Sequence, residues 1–215
     1  MAGSGRKIRG AVLASGSGSN AENIIRFCRE HAGKIEIAVV ICDRTEAGVI
    51  GRAERLGVPC SVIPVVRGVG DAQEKKVLDV LSSYAVDWVF LAGYMRIISA
   101  DFLSRFADPI LKVNRVVNIH PSLLPAFPGK DSYRRTYDAG VKESGVTLHF
   151  VDAGVDTGPV IAQKKFSRVP GESFEDFRAR GLALEYEVYR EFLEQLSRGR
   201  INALGHQNRA GIRNH

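Results

Sequence analysis

Cysteine is scarce in this chain. Cys28, Cys42 and Cys60 are an odd number, with no C-x-x-C pair and no histidines at metal-ligand spacing. That argues against a disulfide framework or a zinc site and for a reducing, cytoplasmic setting. No apolar run approaches the ~18 residues that a membrane helix needs. Internal repeats and low-complexity linkers are also missing, which excludes a solenoid or a string of tethered modules. Met1 to Arg9 is small and polar with three basic residues and no apolar segment behind it. It reads as a loose leader and not as a signal peptide.

What is present suits an enzyme-sized soluble chain. The 215 residues are 45% hydrophobic and 25% charged, enough to bury one domain or two subdomains that share a sheet. The net charge is +6, and part of the excess lies beyond Leu196 in Arg198, Arg200, Arg209 and Arg213. Such a tail reads as a solvated end. The basic balance then fits small phosphorylated substrates better than nucleic acid or a membrane.

The order of elements indicates an α/β fold. Ile8 to Ala14 is a short apolar strand, followed by Ser15-Gly16-Ser17-Gly18-Ser19-Asn20. Ser19-Asn20-Ala21-Glu22 has the form of a capping box, so a helix is expected from about Asn20. Ile35 to Ile41 is a β-branched run of the kind found in buried parallel strands. A helix over Ala47 to Leu56, a strand at Cys60 to Ile63, a helix over Asp71 to Tyr84 and a strand at Trp88 to Ala92 follow. This βαβαβαβ order predicts a mostly parallel central sheet with helices on both faces.

After a helix near Ala100 to Phe106 and a strand from Val113 to Asn118 the pattern changes. Tyr133 to Ala139 reads as a short helix. Gly145 to Val151 and Val160 to Phe166 read as an antiparallel pair added to the sheet in the C-terminal half. The last helix opens at Ser173-x-x-Asp176 and places Phe174, Phe177, Leu182, Val188, Phe192 and Leu196 on roughly one face.

Three stretches carry candidate chemistry. Gly16-Ser17-Gly18-Ser19-Asn20-Ala21 fits G-x-G-x-x-G/A between strand and helix, where backbone N–H groups and the helix N-terminus make an anion cradle. Asp43, at the end of the second strand, stands about where a dinucleotide fold keeps its ribose-binding acid, so a dinucleotide enzyme is a live alternative. Asn118 and His120 lie on one side of an extended chain that two prolines then stiffen. An amide and an imidazole there can donate to a developing oxyanion and pass protons near neutral pH. The bland alternative is a strand-end cap beside a packed histidine. Asp152 and Asp156 sit in a Gly-rich loop. A carboxylate there can raise and orient an imidazole, or simply form the turn.

At Asn118-Ile119-His120-Pro121-Ser122-Leu123-Leu124-Pro125 the chain resembles the formyltransferases that use 10-formyltetrahydrofolate. The likeness runs from about Ile8 to about Arg200. It includes the glycine loop, Leu91-Ala92-Gly93-Tyr94-Met95-Arg96-Ile97-Ile98-Ser99 and Asp156-Thr157-Gly158-Pro159-Val160-Ile161. It is strongest to members whose acceptor is glycinamide ribonucleotide in purine synthesis. Members acting on tRNA carry a further C-terminal domain and hydrolytic members an N-terminal regulatory one, so a small acceptor is expected.

The resemblance implies roles for individual positions. Asn118 and His120 would stabilise a tetrahedral intermediate, with Asp156 keeping His120 charged and relaying a proton through water. Gly18, Ser19 and Asn20 would hold the monophosphate and Glu185 the ribose hydroxyls. Met95, Arg96, Ile97 and Ile98, with Val151 and Asp152, would line the folate pocket. Arg67 is a weak further candidate for the phosphate. The resemblance also implies a Rossmann-like first half (about 8–106), a catalytic and folate-binding second half (about 107–200), and a basic tail (201–215). It implies no metal, and a monomer or homodimer.

Overall fold

The computed structural model describes residues 6–31, 33–65 and 70–201. The first half contains β1 (Ile8–Ala14), α1 (Ser19–Glu30), β2 (Ile35–Cys42), α2 (Gly48–Arg55), β3 (Cys60–Val62), α3 (Gly70–Ser83) and β4 (Trp88–Leu91). The second continues with α4 (Ala100–Ser104), β5 (Ala107–Asp108), β6 (Val113–Asn114), β7 (Val116–His120), α5 (Ser132–Asp138), β8 (Glu143–Phe150), β9 (Val160–Ser167) and α6 (Phe174–Ser197). Arg67 and the tail beyond Ile201 lie outside the described residues.

A seven-stranded sheet runs in the order β3-β2-β1-β4-β7-β8-β9. The first five of these strands are parallel, and β8 and β9 add antiparallel at one edge. Burial on both faces explains why β2 reads as an almost unbroken apolar run. Ile24, Val49, Val188 and Phe192, from α1, α2 and α6, cover one face against Val12, Val40 and Phe90. Val77, Leu81, Phe102 and Leu103, from α3 and α4, cover the other against Leu13, Ile41 and Leu91.

Two details of this frame bear on the site. The chain leaves β1 toward β2 and β3, then crosses back to lay β4 on the other side of β1. The loops after β1 and β4 therefore diverge at a switch point, where a crevice opens at the C-terminal strand ends. On α6, Ser173 Oγ accepts from the Asp176 N–H at 3.1 Å, a cap worth about 1 kcal/mol. The Tyr189 hydroxyl of α6 donates to the Leu91 carbonyl at 2.5 Å and ties the helix to the end of β4. Gly181, in the interior of the same helix, costs roughly 0.5–1 kcal/mol relative to alanine and needs a packing reason.

Three expectations are corrected. The capping box at Ser19 and Glu22 does not form: Gly18 is the N-cap in a left-handed conformation, and no side chain caps the helix. Glu22 instead accepts from Arg26 and Arg52, which stitches α1 to α2. The strand expected from Val113 to Asn118 is two strands. Val113–Asn114 pairs antiparallel with Ala107–Asp108 in a small separate sheet, and the central strand starts at Val116. The helix near Ala100 ends at Ser104, where the chain turns into that small sheet.

Candidate active site

At the switch point lies a cleft of about 430 Å³, walled by the loops after β1 and β4, the end of β7, the loop after β8, and α5 and α6. The residues singled out in the glycine loop, at 95–98, at Asn118 and His120, at Asp156 and at Glu185 all face it. Five stretches far apart in the chain thus meet in one place.

The corner of the cleft at the glycine turn is built from backbone. Gly18 takes φ +80°, and a Cβ there would lie 2.6 Å from the Val49 backbone. The turn therefore admits only glycine, and it delivers the chain into the first turn of α1. The N–H groups of that turn have no intrahelical acceptor, and the helix dipole adds partial positive charge. Ser15 Oγ accepts from the Met95 N–H at 2.9 Å and locks this loop to the one after β4.

β7 continues as strand through Ile119 to His120, so Asn118 and His120 point to the same side. Antiparallel register places His149 of β8 directly opposite Asn118. His149 Nδ1 lies 2.8 Å from the Phe150 carbonyl, which can only accept, so Nδ1 carries the proton. Its Nε2 lies 3.1 Å from Asn118 Nδ2. The other N–H of Asn118 faces Asp156 Oδ1 at a long 3.4 Å. That weak contact is the one a substrate oxygen can replace.

Asp156 is gripped on both sides. Its Oδ2 accepts from the Gly129 N–H at 2.7 Å and lies 3.2 Å from His120 Nδ1. Its Oδ1 lies 3.6 Å from His149 Nε2. The residue is held at φ +55°, a region that non-glycine residues seldom occupy. Burial raises its pKa, but the Gly129 amide and the two imidazoles more than offset that and hold the carboxyl below its ordinary range.

His120 has an acceptor at each ring nitrogen: the Asp156 carboxylate at Nδ1 and the Phe127 carbonyl, 2.9 Å away, at Nε2. Only the imidazolium can donate to both. Burial nonetheless pulls His120 below its ordinary pKa. The Phe127 carbonyl and Asp156 pull it part of the way back, while His149 and Arg135 add to the decrease. Burial thus opposes the charged ring, and the two acceptors favour it.

A histidine whose folded pKa lies below its unfolded value of about 6.5 stabilises the fold above that pH. The contribution is lost as pH falls through the folded value, and Asp156 adds a loss of the same sign lower down. Urea midpoints are expected to fall between about pH 7.5 and about pH 5.5, and to fall less in His120→Gln. Equal declines in the two proteins would place the titrating group elsewhere.

The remaining residues divide. Glu185 is buried, with Oε1 accepting from the Tyr133 hydroxyl and Oε2 from Asn20 Nδ2, both at 2.5 Å. Burial raises its pKa, and the bonds from Tyr133 and Asn20 and the charge of Arg178 only partly counter this. Asp43 does not face the cleft: its side chain is buried, with Oδ2 accepting from Arg96 Nε at 2.6 Å and Oδ1 without a partner. Asp152 serves its own turn, with Oδ1 accepting from the Gly154 N–H at 3.0 Å and the Thr157 hydroxyl at 2.7 Å. Ile97 and Met95 display apolar side chains at the cleft (73% and 48% exposed), whereas Ile98 and Val151 are buried and form its floor.

Sequence reasoning missed His149, Tyr133 and two cations that also face the cleft, Lys130 and Arg178. A signal for His149 existed. Thr147 and His149 are polar residues at i and i+2 in the otherwise apolar stretch from Gly145 to Val151, which marks one face of β8 as a polar one.

The chain is similar to known proteins over most of its length. The curated phosphoribosylglycinamide formyltransferase of Bacillus subtilis is 38% identical over 187 residues, covering 86% of this chain and 93% of that protein. That of Escherichia coli is 34% identical over 202 residues, covering 94% and 92%. The crystal structure of glycinamide ribonucleotide transformylase 1 from Symbiobacterium toebii superposes with a TM-score of 0.85 at 42% identity, over 93% of this chain and 92% of that one. The Geobacillus kaustophilus structure bearing the same description gives 0.81 at 44% identity, over 89% and 99%. Residues 8–193 match the formyl transferase family, and the chain belongs to it.

Proposed function

We propose that this enzyme transfers a formyl group from 10-formyltetrahydrofolate to the primary amine of glycinamide ribonucleotide. One observation carries the reading. The polar network of Asn118, His120, His149 and Asp156 faces the same cleft as the anion-binding turn at Gly18. The substrate names carried by the relatives support it.

The residues divide the work as follows. The amides of Ser19 and Asn20 hold the monophosphate, with Glu185 beside them for the ribose. Met95 and Ile97 offer apolar surface to a flat aromatic ligand over the floor of Ile98 and Val151, with Arg96 held by Asp43 at its edge. When bound, the folate supplies the activated formyl group. Attack of the amine builds negative charge on the formyl oxygen, and Asn118 Nδ2 offsets it by exchanging its long contact to Asp156 for that oxygen. A single preorganised donor of this kind is worth about 3–4 kcal/mol. The amine must lose a proton as the departing nitrogen gains one. His120, flanked by two acceptors, carries that proton, with Asp156 stabilising the imidazolium.

The test is purified protein with a chromophoric 10-formyl folate analogue, with and without glycinamide ribonucleotide. Deformylated product is expected only when the ribonucleotide is present. Product without it would mean hydrolysis. A fluorescence response to NADH with no formyl transfer would restore the dinucleotide reading, against which the Arg96–Asp43 pair counts.

A further inference from the structure

Glu185 lies in the wall of the cleft with both carboxylate oxygens already engaged inside the protein, one by Tyr133 and one by Asn20. Asn20 belongs to the first turn of α1. Its Oδ1 is buried and has no hydrogen-bond partner. Fixing Nδ2 on Glu185 therefore fixes where that acceptor points. Tyr133 stands in the first turn of α5, just after the loop that offers the Phe127 carbonyl to His120 and the Gly129 amide to Asp156.

α6 is shaped to admit the tyrosine. Gly181 lies one turn before Glu185, and a Cβ there would come within 2.3 Å of Tyr133 Cε1 and 2.6 Å of its hydroxyl oxygen. The ring also packs edge-on against Phe177, with centroids 6.4 Å apart at 89°. The helix-weakening glycine is thus explained: its missing side chain lets the phenol reach the carboxylate.

We propose that Tyr133, seated by Gly181, is a positioning residue for the ribonucleotide subsite, holding Glu185 as an oriented acceptor and through it the Asn20 amide. The inference rests on the reading that Glu185 and Asn20 serve the ribonucleotide. The phenol is a donor throughout the working range, because burial and the adjacent carboxylate hold its pKa well above the ordinary value. Among charged and titratable groups, Glu185 is influenced by Tyr133 from α5 and Arg178 on its own helix, while Tyr189 on α6 feels its field. Without the phenol the buried carboxyl keeps one fewer donor, so it protonates more readily, and one of its oxygens then becomes a donor and a weaker acceptor.

The experiment compares the native chain with Tyr133→Phe, Gly181→Ala and the double variant. It uses equilibrium binding of glycinamide ribonucleotide by calorimetry and formyl transfer at several pH values. Tyr133→Phe is expected to weaken ribonucleotide binding about tenfold, the scale of one charge-assisted hydrogen bond. The same factor should appear in KM for the ribonucleotide, with kcat at saturation and KM for the folate changed less than twofold. The loss should widen as pH is lowered, and Glu185→Gln in the same background should remove that widening. Gly181→Ala keeps the phenol but displaces it, and adds helix propensity. It should weaken binding similarly, and the double variant should be no worse than either alone. Unchanged ribonucleotide affinity in Tyr133→Phe, with the native chain binding normally, overturns this proposal alone. Failure of the native chain to bind the ribonucleotide overturns both it and the subsite reading beneath it. A loss that is equal at every pH and additive in the double variant would reduce Tyr133 to packing and also overturns the proposal.

Discussion

Replacing His120 with alanine is expected to lower kcat by about 10²–10⁴-fold, the range removed with a positioned acid–base group, while ribonucleotide affinity stays within a few-fold. The separation follows from the layout. The phosphate corner is made of backbone after β1, locked through Ser15 and Met95, and none of its hydrogen bonds passes through His120. Asp156→Asn should lose nearly as much. Asparagine tolerates the left-handed backbone at position 156, and its carbonyl can still accept from the Gly129 amide. What disappears is the negative charge beside His120 Nδ1, and with it the stabilisation of the protonated ring. Because both residues serve one proton, the double variant should be little worse than the poorer single one. Steady-state kinetics paired with ribonucleotide calorimetry reads both quantities. Turnover near the native level in either variant would mean that the proton travels another way.

How much of this was legible beforehand depends on the range of the interaction that decides each feature. The parallel order could be read because β-branched runs such as Ile35 to Ile41 and the helical segments between them are local patterns. The switch point then follows from the fold class, and with it the cleft beside the glycine turn. The start of α1 was misread because Ser19 and Glu22 have capping-box spacing. Which residue caps was decided by Gly18, whose left-handed turn against Val49 is a tertiary constraint. The stretch from Val113 to Asn118 alternates in the same way whether it pairs in one sheet or two. Only the partner at Ala107–Asp108 separates them.

The site shows the same division. Asn118 and His120 are neighbours in sequence, and a strand puts them on one side without help. His149 belongs to the network because β8 pairs with β7 in a register that sets it opposite Asn118. That register comes from packing, with Thr147 Oγ1 donating to the Ser122 carbonyl at 2.6 Å and accepting from the Leu124 N–H at 3.0 Å. The charge state of His120 was equally hidden. A neighbouring carboxylate raises the imidazole pKa, and only the burial seen in three dimensions adds the desolvation that lowers it.

Gly158→Ala is expected to cost about 3 kcal/mol of stability, at the upper end of overpacking changes, and to lower kcat about 100-fold. A Cβ at 158 would lie 1.9 Å from the Phe150 carbonyl oxygen and 2.9 Å from its carbon. Both are backbone atoms at the end of β8, so no rotamer change relieves the clash. The same carbonyl is the acceptor that sets the tautomer of His149, and Asp156 is only two residues away on the loop that must move. Displacing that loop by about 1 Å is enough to lose two orders of magnitude in rate, even if the fold survives. Gly154→Ala in the same loop is the control. The three nearest atoms its Cβ would meet all belong to the Thr157 side chain, which can rotate away at the cost of one exposed hydrogen bond to Asp152. Urea midpoints and kcat measured for both variants should therefore diverge, with Gly158→Ala impaired in both and Gly154→Ala mild in both. Equal effects would mean that the loop tolerates displacement as a unit. The tight geometry at Asp156 would then not be what sets the rate.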